Sequence, residues 1–136
     1  MKMKATLMIA CMAAFALFAF APKVPMQQNP WPVPDAWKTK ANPVKSDATS
    51  IAKGKELYAT HCKSCHGTKG KGDGPKASQL DTECGDFTKA TFQSQTDGAI
   101  YYKTSEGRKD MPSFKKKITD TEELWSVVNY IRTFKK

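Results

Sequence analysis

Cys62-Lys63-Ser64-Cys65-His66 places two thiols and an imidazole within five residues. Thiols three residues apart return to the same side of a helical turn, and the imidazole of the next residue projects beside the second sulfur. C-x-x-C-H is the attachment signal for c-type haem, in which two thioethers hold the porphyrin vinyl groups and the histidine ligates the iron. Two rival chemistries use the same thiols. A zinc site would need Cys84 with His61 or His66 across an irregular 18-residue gap. A redox dithiol would sit beside a βαβ pattern, whereas the flanks here read as helix and glycine loop. The motif therefore predicts one covalent haem c on Cys62 and Cys65, with His66 as an iron ligand.

The N-terminus supplies the compartment that this chemistry needs. Met1-Lys2-Met3-Lys4 is a short positive region, and Ala5 to Ala21 is an uncharged, mostly apolar run of 17 residues. Its length lies between a signal h-region and a membrane-spanning helix. Residues 1–21 are accordingly read as a cleaved secretion signal or an uncleaved anchor through residues 5–21. Met8-Ile9-Ala10-Cys11 loosely resembles a lipidation site, but the apolar run continues ten residues past Cys11. The expected localisation is periplasmic, either soluble after cleavage or held at the inner membrane.

The formal charge is +9, and cutting after residue 21 removes Lys2 and Lys4 to leave +7. Such a balance serves solubility first. An exported chain without a binding motif is not expected to bind nucleic acid, and the partners expected are redox proteins with acidic docking faces. An anionic membrane surface is the other candidate.

Residues 22–48 hold six of the eight prolines with few aliphatics, which reads as a proline-rich linker or strap. Trp31 and Trp37 imply that it lies partly on the domain, since an indole in a linker needs a surface to cover. Residues 49–136 form the remaining small domain. Ile51 to about Cys62 has Ile51, Gly54, Leu57, Tyr58 and His61 at helical spacing, with Asp47, Thr49 or Ser50 available as cap. Gly54 is the expected site of a close helix crossing. Thr96-Asp97-Gly98 opens a second helix from Ala99 to about Ser105, stopped at Gly107. Thr119 with Glu122 forms a capping box for a last helix whose inner face is Leu124, Trp125, Val128, Ile131 and Phe134. No alternating strand pattern appears, so the class is all-α.

In order along residues 47–136, the Gly54/Tyr58 helix leading into Cys62-Lys63-Ser64-Cys65-His66-Gly67, the segment Met111-Pro112-Ser113-Phe114 and a C-terminal helix with Tyr130-Ile131 resemble the class I monohaem c-type cytochromes. The resemblance implies a small all-α fold wrapped around one haem, in which the first and last helices cross at Gly54, Tyr58 and Tyr130. The glycine-rich run from Gly67 to Pro75 is similar to the loop after the haem motif in bacterial members. Its four glycines let the backbone turn sharply and lie on a porphyrin edge.

The sixth iron ligand is read by elimination. After removal of residues 1–21 the candidates are His61, Met26 and Met111. His61 adjoins Cys62 and cannot reach the far face, and Met26 lies in the strap. Met111 is 45 residues after His66, far enough to wrap the haem, and Pro112 stiffens the segment beyond it. Cys84 is left as a free thiol or an intermolecular disulfide partner. Two strong-field axial ligands leave no open position, which points to a single-electron carrier in a respiratory or dehydrogenase chain rather than an enzyme. The alternative is a dedicated haem-bearing subunit of a larger membrane redox complex. A dihaem peroxidase would need a second C-x-x-C-H, and a gas sensor a labile sixth position.

Overall fold

The computed structural model describes residues 30–136, so the signal or anchor, Cys11, Met26 and the first part of the strap lie outside the described residues. Among the described residues six α-helices follow one another, α1 (Asp35–Lys38), α2 (Ala48–His61), α3 (Lys63–His66), α4 (Ala90–Gln93), α5 (Asp97–Glu106) and α6 (Thr121–Arg132), with a short 3-10 turn at Ala77–Gln79 between α3 and α4. Among the described residues there is no strand, only an isolated bridge between Arg108 and Met111, which agrees with the all-α expectation. No helix among them is long and apolar enough to cross a membrane.

Of the three caps offered for α2, Asp47 is the one used. Its carboxylate accepts from the Ser50 amide at 3.0 Å while the Ser50 hydroxyl accepts from the Asp47 amide at 3.2 Å, a reciprocal capping box. Ser50, Gly54 and Tyr58, four residues apart, form the buried face. α6 crosses this face. A Cβ on Gly54 would stand 2.0 Å from the Ser126 carbonyl oxygen and 2.9 Å from Tyr130 Cβ, so only glycine allows the two backbones to meet. The Tyr58 ring then meets Tyr130 at 5.2 Å and Phe134 at 5.4 Å between centroids.

The start of α6 corrects the sequence reading. Asp120, not Thr119, caps the helix, its carboxylate accepting from the Glu122 amide at 2.8 Å. Thr119 and Asp120 both suit an N-cap, and a cap placed one residue later leaves the Glu122 side chain no box to close. Leu124, Trp125, Val128 and Ile131 are buried as expected, while Phe134 is half-buried. Ser126, Val127 and Asn129 are buried too, Ser126 at the crossing with Gly54 and Asn129 under the strap.

α5 begins at the Thr96 cap and ends at Gly107, whose φ of 69° is the left-handed stop that glycine supplies. The strap runs across α5 and α6. Trp37 stacks on Tyr101 at 5.1 Å, Tyr101 stacks on Trp125 at 4.1 Å, and Gly98 leaves room for the Trp37 carbonyl, 2.0 Å from where a Cβ would stand. Asn42 donates to the Asn129 side chain at 2.8 Å, and Asn129 donates to the Val44 and Lys45 carbonyls. Arg132 ties the end of α6 to Asp97 at 2.7 Å and to the Gln93 carbonyl at 2.8 Å.

Candidate haem site

The C-x-x-C-H run begins where α2 ends. Cys62 closes α2 with its amide on the Tyr58 carbonyl at 2.9 Å, and the next turn continues with Cys65 and His66 amides both on the Cys62 carbonyl. Cys62, Cys65 and His66 therefore occupy consecutive corners of one tight turn. The loop after the turn folds back on it. Lys76, Gly74 and Gly72 amides donate to the carbonyls of Ser64, Cys65 and His66 at 2.9, 3.1 and 2.9 Å. Each carbonyl of that short segment has its own amide from the loop, which fixes the conformation of the motif.

Glycine makes the fold-back feasible. A Cβ on Gly74 would meet the Ser64 oxygen at 2.4 Å, and Gly67, Gly70 and Gly72 all have φ between 67° and 77°. These glycines approach the motif turn, Asp73, Phe134 and Cys84, so the loop packs closely on protein as well as bordering the site. The Tyr58 hydroxyl donates to the Gly67 carbonyl at 2.8 Å and locks the loop to α2. Burial pushes that phenol well above its ordinary range.

The His66 ring is stacked on Phe87, 4.5 Å between centroids. Burial pushes the imidazole down to about 4, partly offset by the Gly85 backbone, and the ring is therefore neutral at pH 7. Its Nδ1 is buried without a hydrogen-bond partner. A neutral imidazole with unused bonding capacity is what a metal ligand requires. No disulfide joins Cys62, Cys65 or Cys84, so both motif sulfurs are available to a haem. Burial, reinforced by Cys65, pushes Cys62 up to about 12, and Cys84 is raised by burial, by Cys65 and by Asp110. The residues present thus fit a haem held by two thioethers and a histidine. Among the described residues no group of three or more His, Cys, Asp or Glu gathers to hold a metal ion, so the zinc reading finds no ligand set.

Met111 lies in a different kind of structure. Arg108 and Met111 exchange two backbone hydrogen bonds, at 2.8 and 3.0 Å, across a tight turn whose Lys109 has φ 53°. The turn closes over Gly107, where a Cβ would stand 2.5 Å from the Met111 oxygen. Met111 is half-buried against the same core cluster that contains Phe87. Phe114, three residues on, is buried, and its ring meets His61 edge-on at 6.0 Å. His61 precedes Cys62, so the methionine segment and the motif turn are brought to neighbouring positions. Sequence reasoning misses both Phe87 and Arg108. An aromatic residue in a polar loop is the available signal for Phe87, and nothing in the sequence marks Arg108.

Two of the solved structures that the chain resembles are the following. The reducing HAO-like protein complex Kustc0457/Kustc0458 of Kuenenia stuttgartiensis aligns with a TM-score of 0.64 and 27% identity, covering 81% of this chain and 53% of that one. The chain thus spans about half the length of that neighbour. The KustC0563 c-type cytochrome aligns with a TM-score of 0.54 and 35% identity over 61% of this chain and 98% of its own length. No curated protein matches the sequence. The family match settles the class that the motif turn and its glycine loop pointed to. It runs over residues 51–135, well over half of the sequence, so this chain belongs to the cytochrome c family and carries a covalently bound haem c.

Proposed function

We propose that this chain is an exported single-electron carrier with one haem c, attached through Cys62 and Cys65 and ligated at its iron by His66 and Met111. The observation that carries the reading is the motif turn, held by the loop's backbone bonds and presenting a half-buried His66 with a buried Nδ1 beside the Cys62 and Cys65 sulfurs. Haem c supplies a one-electron iron couple, tuned by its axial ligands and by how dry its surroundings are. Cys62 and Cys65 each add an S–H bond across a porphyrin vinyl group. The glycine loop and Phe87 keep water from the histidine side, and Phe114 does so near the methionine segment. With both axial positions filled, the chain is a carrier and not an enzyme. Residues 1–21 direct export, and the protein works in the periplasm, free or anchored.

Lys69, Lys71, Lys115, Lys116 and Lys117 are exposed. Lys115 is paired with Glu106 at 2.7 Å and Lys117 lies over the Phe114 ring, which leaves Lys69, Lys71 and Lys116 as the best candidates for steering an acidic partner. Electron exchange should slow as salt shortens the Debye length to about 10 Å at 0.1 M. A flat salt dependence assigns these lysines to solubility alone.

Covalent attachment is tested by haem staining after denaturing electrophoresis of protein exported through a haem-ligation system. Wild type should stay stained, and the double variant Cys62→Ser, Cys65→Ser should not. Colour extracted from wild type by acid acetone overturns the reading. Met111→Ala should remove the weak ferric band at the red end of the spectrum, and Met26→Ala should leave it.

A second reading has its own support. The neighbour in the HAO-like complex aligns over some two dozen more residues than the family match supplies, and these can lie only on its N-terminal side. The strap that covers α5 and α6 falls in that direction. A dedicated haem subunit of a larger redox complex would use such an ordered extension. Protein purified from its natural source as a lone chain would exclude this role, and stable co-purification with a larger redox protein would establish it.

A further inference from the structure

Trp31 stands at the start of the described chain, far in sequence from every residue assigned to the site. Its indole nevertheless faces two cations. The Arg108 guanidinium lies 4.6 Å from the ring centroid and the Lys103 ammonium 5.7 Å. Burial and the neighbouring Arg108 both hold Lys103 below its ordinary range, so the two cations are close enough to repel. The electron-rich face of Trp31 attracts both and lets them stay together.

Arg108 is also the residue whose backbone pairs with Met111, its amide on the Met111 carbonyl at 2.8 Å and its carbonyl on the Met111 amide at 3.0 Å. Between them Lys109 is held at φ 53°, a left-handed conformation that costs a side-chain-bearing residue about 1–2 kcal/mol and persists only when its surroundings enforce it. On the other side of the turn the Asp110 carboxylate accepts from the Thr82 amide at 2.8 Å. The turn is strained and is held at both shoulders.

We propose that Trp31 is a positioning residue for the methionine ligand: by clamping Arg108 it holds the Arg108–Met111 turn in place, so that the strap controls how often Met111 leaves the iron. This rests on Met111 being the sixth ligand. A ligand that binds only the methionine-free form has its apparent affinity set by the population of that form. Imidazole added to the ferric protein is such a probe. Loss of a contact of this strength should raise the methionine-free population, and with it the imidazole affinity, about fivefold, equivalent to ~1 kcal/mol.

The experiment titrates ferric holoprotein with imidazole, following the loss of the red-end band. Trp31→Ala and Trp31→Leu should each bind imidazole several-fold more tightly, and Trp31→Phe should restore most of the wild-type affinity by keeping an aromatic face. Arg108→Gln should raise the affinity at least as much as Trp31→Leu, and adding Trp31→Leu to it should change little further, because the contact between the two side chains is already lost. Trp37→Ala is the control: it loosens the same strap at Tyr101, away from the turn, and should leave imidazole affinity near wild type. An unchanged affinity in Trp31→Leu overturns the proposal, and so does an equal rise in Trp37→Ala, which would mean general loosening. Should Trp31→Ala and Trp31→Leu fail to fold, Arg108→Gln and Trp31→Phe decide the same question. Met111→Ala separates the two claims, since an unchanged spectrum there refutes the ligand assignment itself, whatever Trp31 does.

Discussion

The turn carrying His66 is hydrogen-bonded along its length to the loop after it, whereas the turn carrying Met111 hangs from its neighbours by side chains. Three loop amides satisfy Ser64, Cys65 and His66, and the Tyr58 hydroxyl pins Gly67 from within the α2–α6 crossing. Around Met111 the turn's own backbone bonds run between Arg108 and Met111, Trp31 and Asp110 are among the side chains that tie its shoulders, and backbone bonds to the rest of the fold resume at Gly107 and Phe114. Backbone bonds within a few residues form and break with the core. Exposed side-chain ties can open singly, at the low end of a protein's range of local stabilities. On the ligation proposed above, a carrier would gain from this division: the side that attaches the haem is fixed, and the side that supplies the sixth ligand is adjustable.

The sharpest way to break the comparison is at the helix crossing beneath the His66 side. Gly54→Val would drive a branched side chain into the Ser126 carbonyl, already 2.0 Å from the position of a Cβ. Overpacking against backbone cannot be relieved by a rotamer change, so a loss of about 3 kcal/mol or more is expected in chemical denaturation. A cost below about 1 kcal/mol would mean that α2 and α6 separate readily and that the His66 side is not the fixed one.

Tyr58→Phe is the next step down. It keeps the ring against Tyr130 and Phe134 and removes only the bond to the Gly67 carbonyl, which is then left with the longer bond from the Gly70 amide at 3.4 Å. The expected loss is about 1–2 kcal/mol, with the red-end band retained. A variant that lost the band at unchanged stability would show that the two sides are coupled more tightly than their hydrogen bonds indicate.

What the sequence discloses follows the same division. The motif turn, the Gly54 crossing, the Thr96 and Gly107 limits of α5 and the inner face of α6 are properties of neighbouring residues or of helical spacing, and they are legible. The cap of α6 slips by one residue because Thr119 and Asp120 are chemically alike. Contacts between segments distant in the chain leave no such trace. Trp31 on Arg108, Asn42 on Asn129 and Arg132 on Gln93 join residues 39 to 87 positions apart. Arg132 suits the negative end of its own helix, and its bonds to the α4–α5 connection have no local signature. Phe87 needs the fold to place it on the His66 ring.

On the Met111 side the effects are smaller and more local. Asp110→Ala removes the bond to the Thr82 amide at an exposed site, with an expected cost near 1 kcal/mol. It also takes away an anion that raises Cys84, so the thiol should ionise more easily and react faster with an alkylating reagent at fixed pH. Unchanged alkylation would show that Asp110 does not reach the Cys84 loop, and that the turn has one shoulder and not two.

The smallest effect has the opposite sign. Lys109 is the sole residue other than glycine with positive φ among the described residues, and it sits in the middle of the Met111 turn. Glycine adopts that conformation without the ~1 kcal/mol penalty, but it also gains freedom in the unfolded chain, which returns part of the benefit. Lys109→Gly should therefore stabilise the domain by about 0.5 kcal/mol. The same physics gives its effect at the iron. A turn that no longer needs its shoulders to enforce a strained residue should hold Met111 more persistently, so ferric imidazole binding should weaken slightly. If Lys109→Gly destabilises the protein, the lysine side chain is itself a tie of the turn. If it stabilises the protein while imidazole binding strengthens, strain at Lys109 supports the methionine's position rather than opposing it, and the account of a turn held in place against its own preference fails.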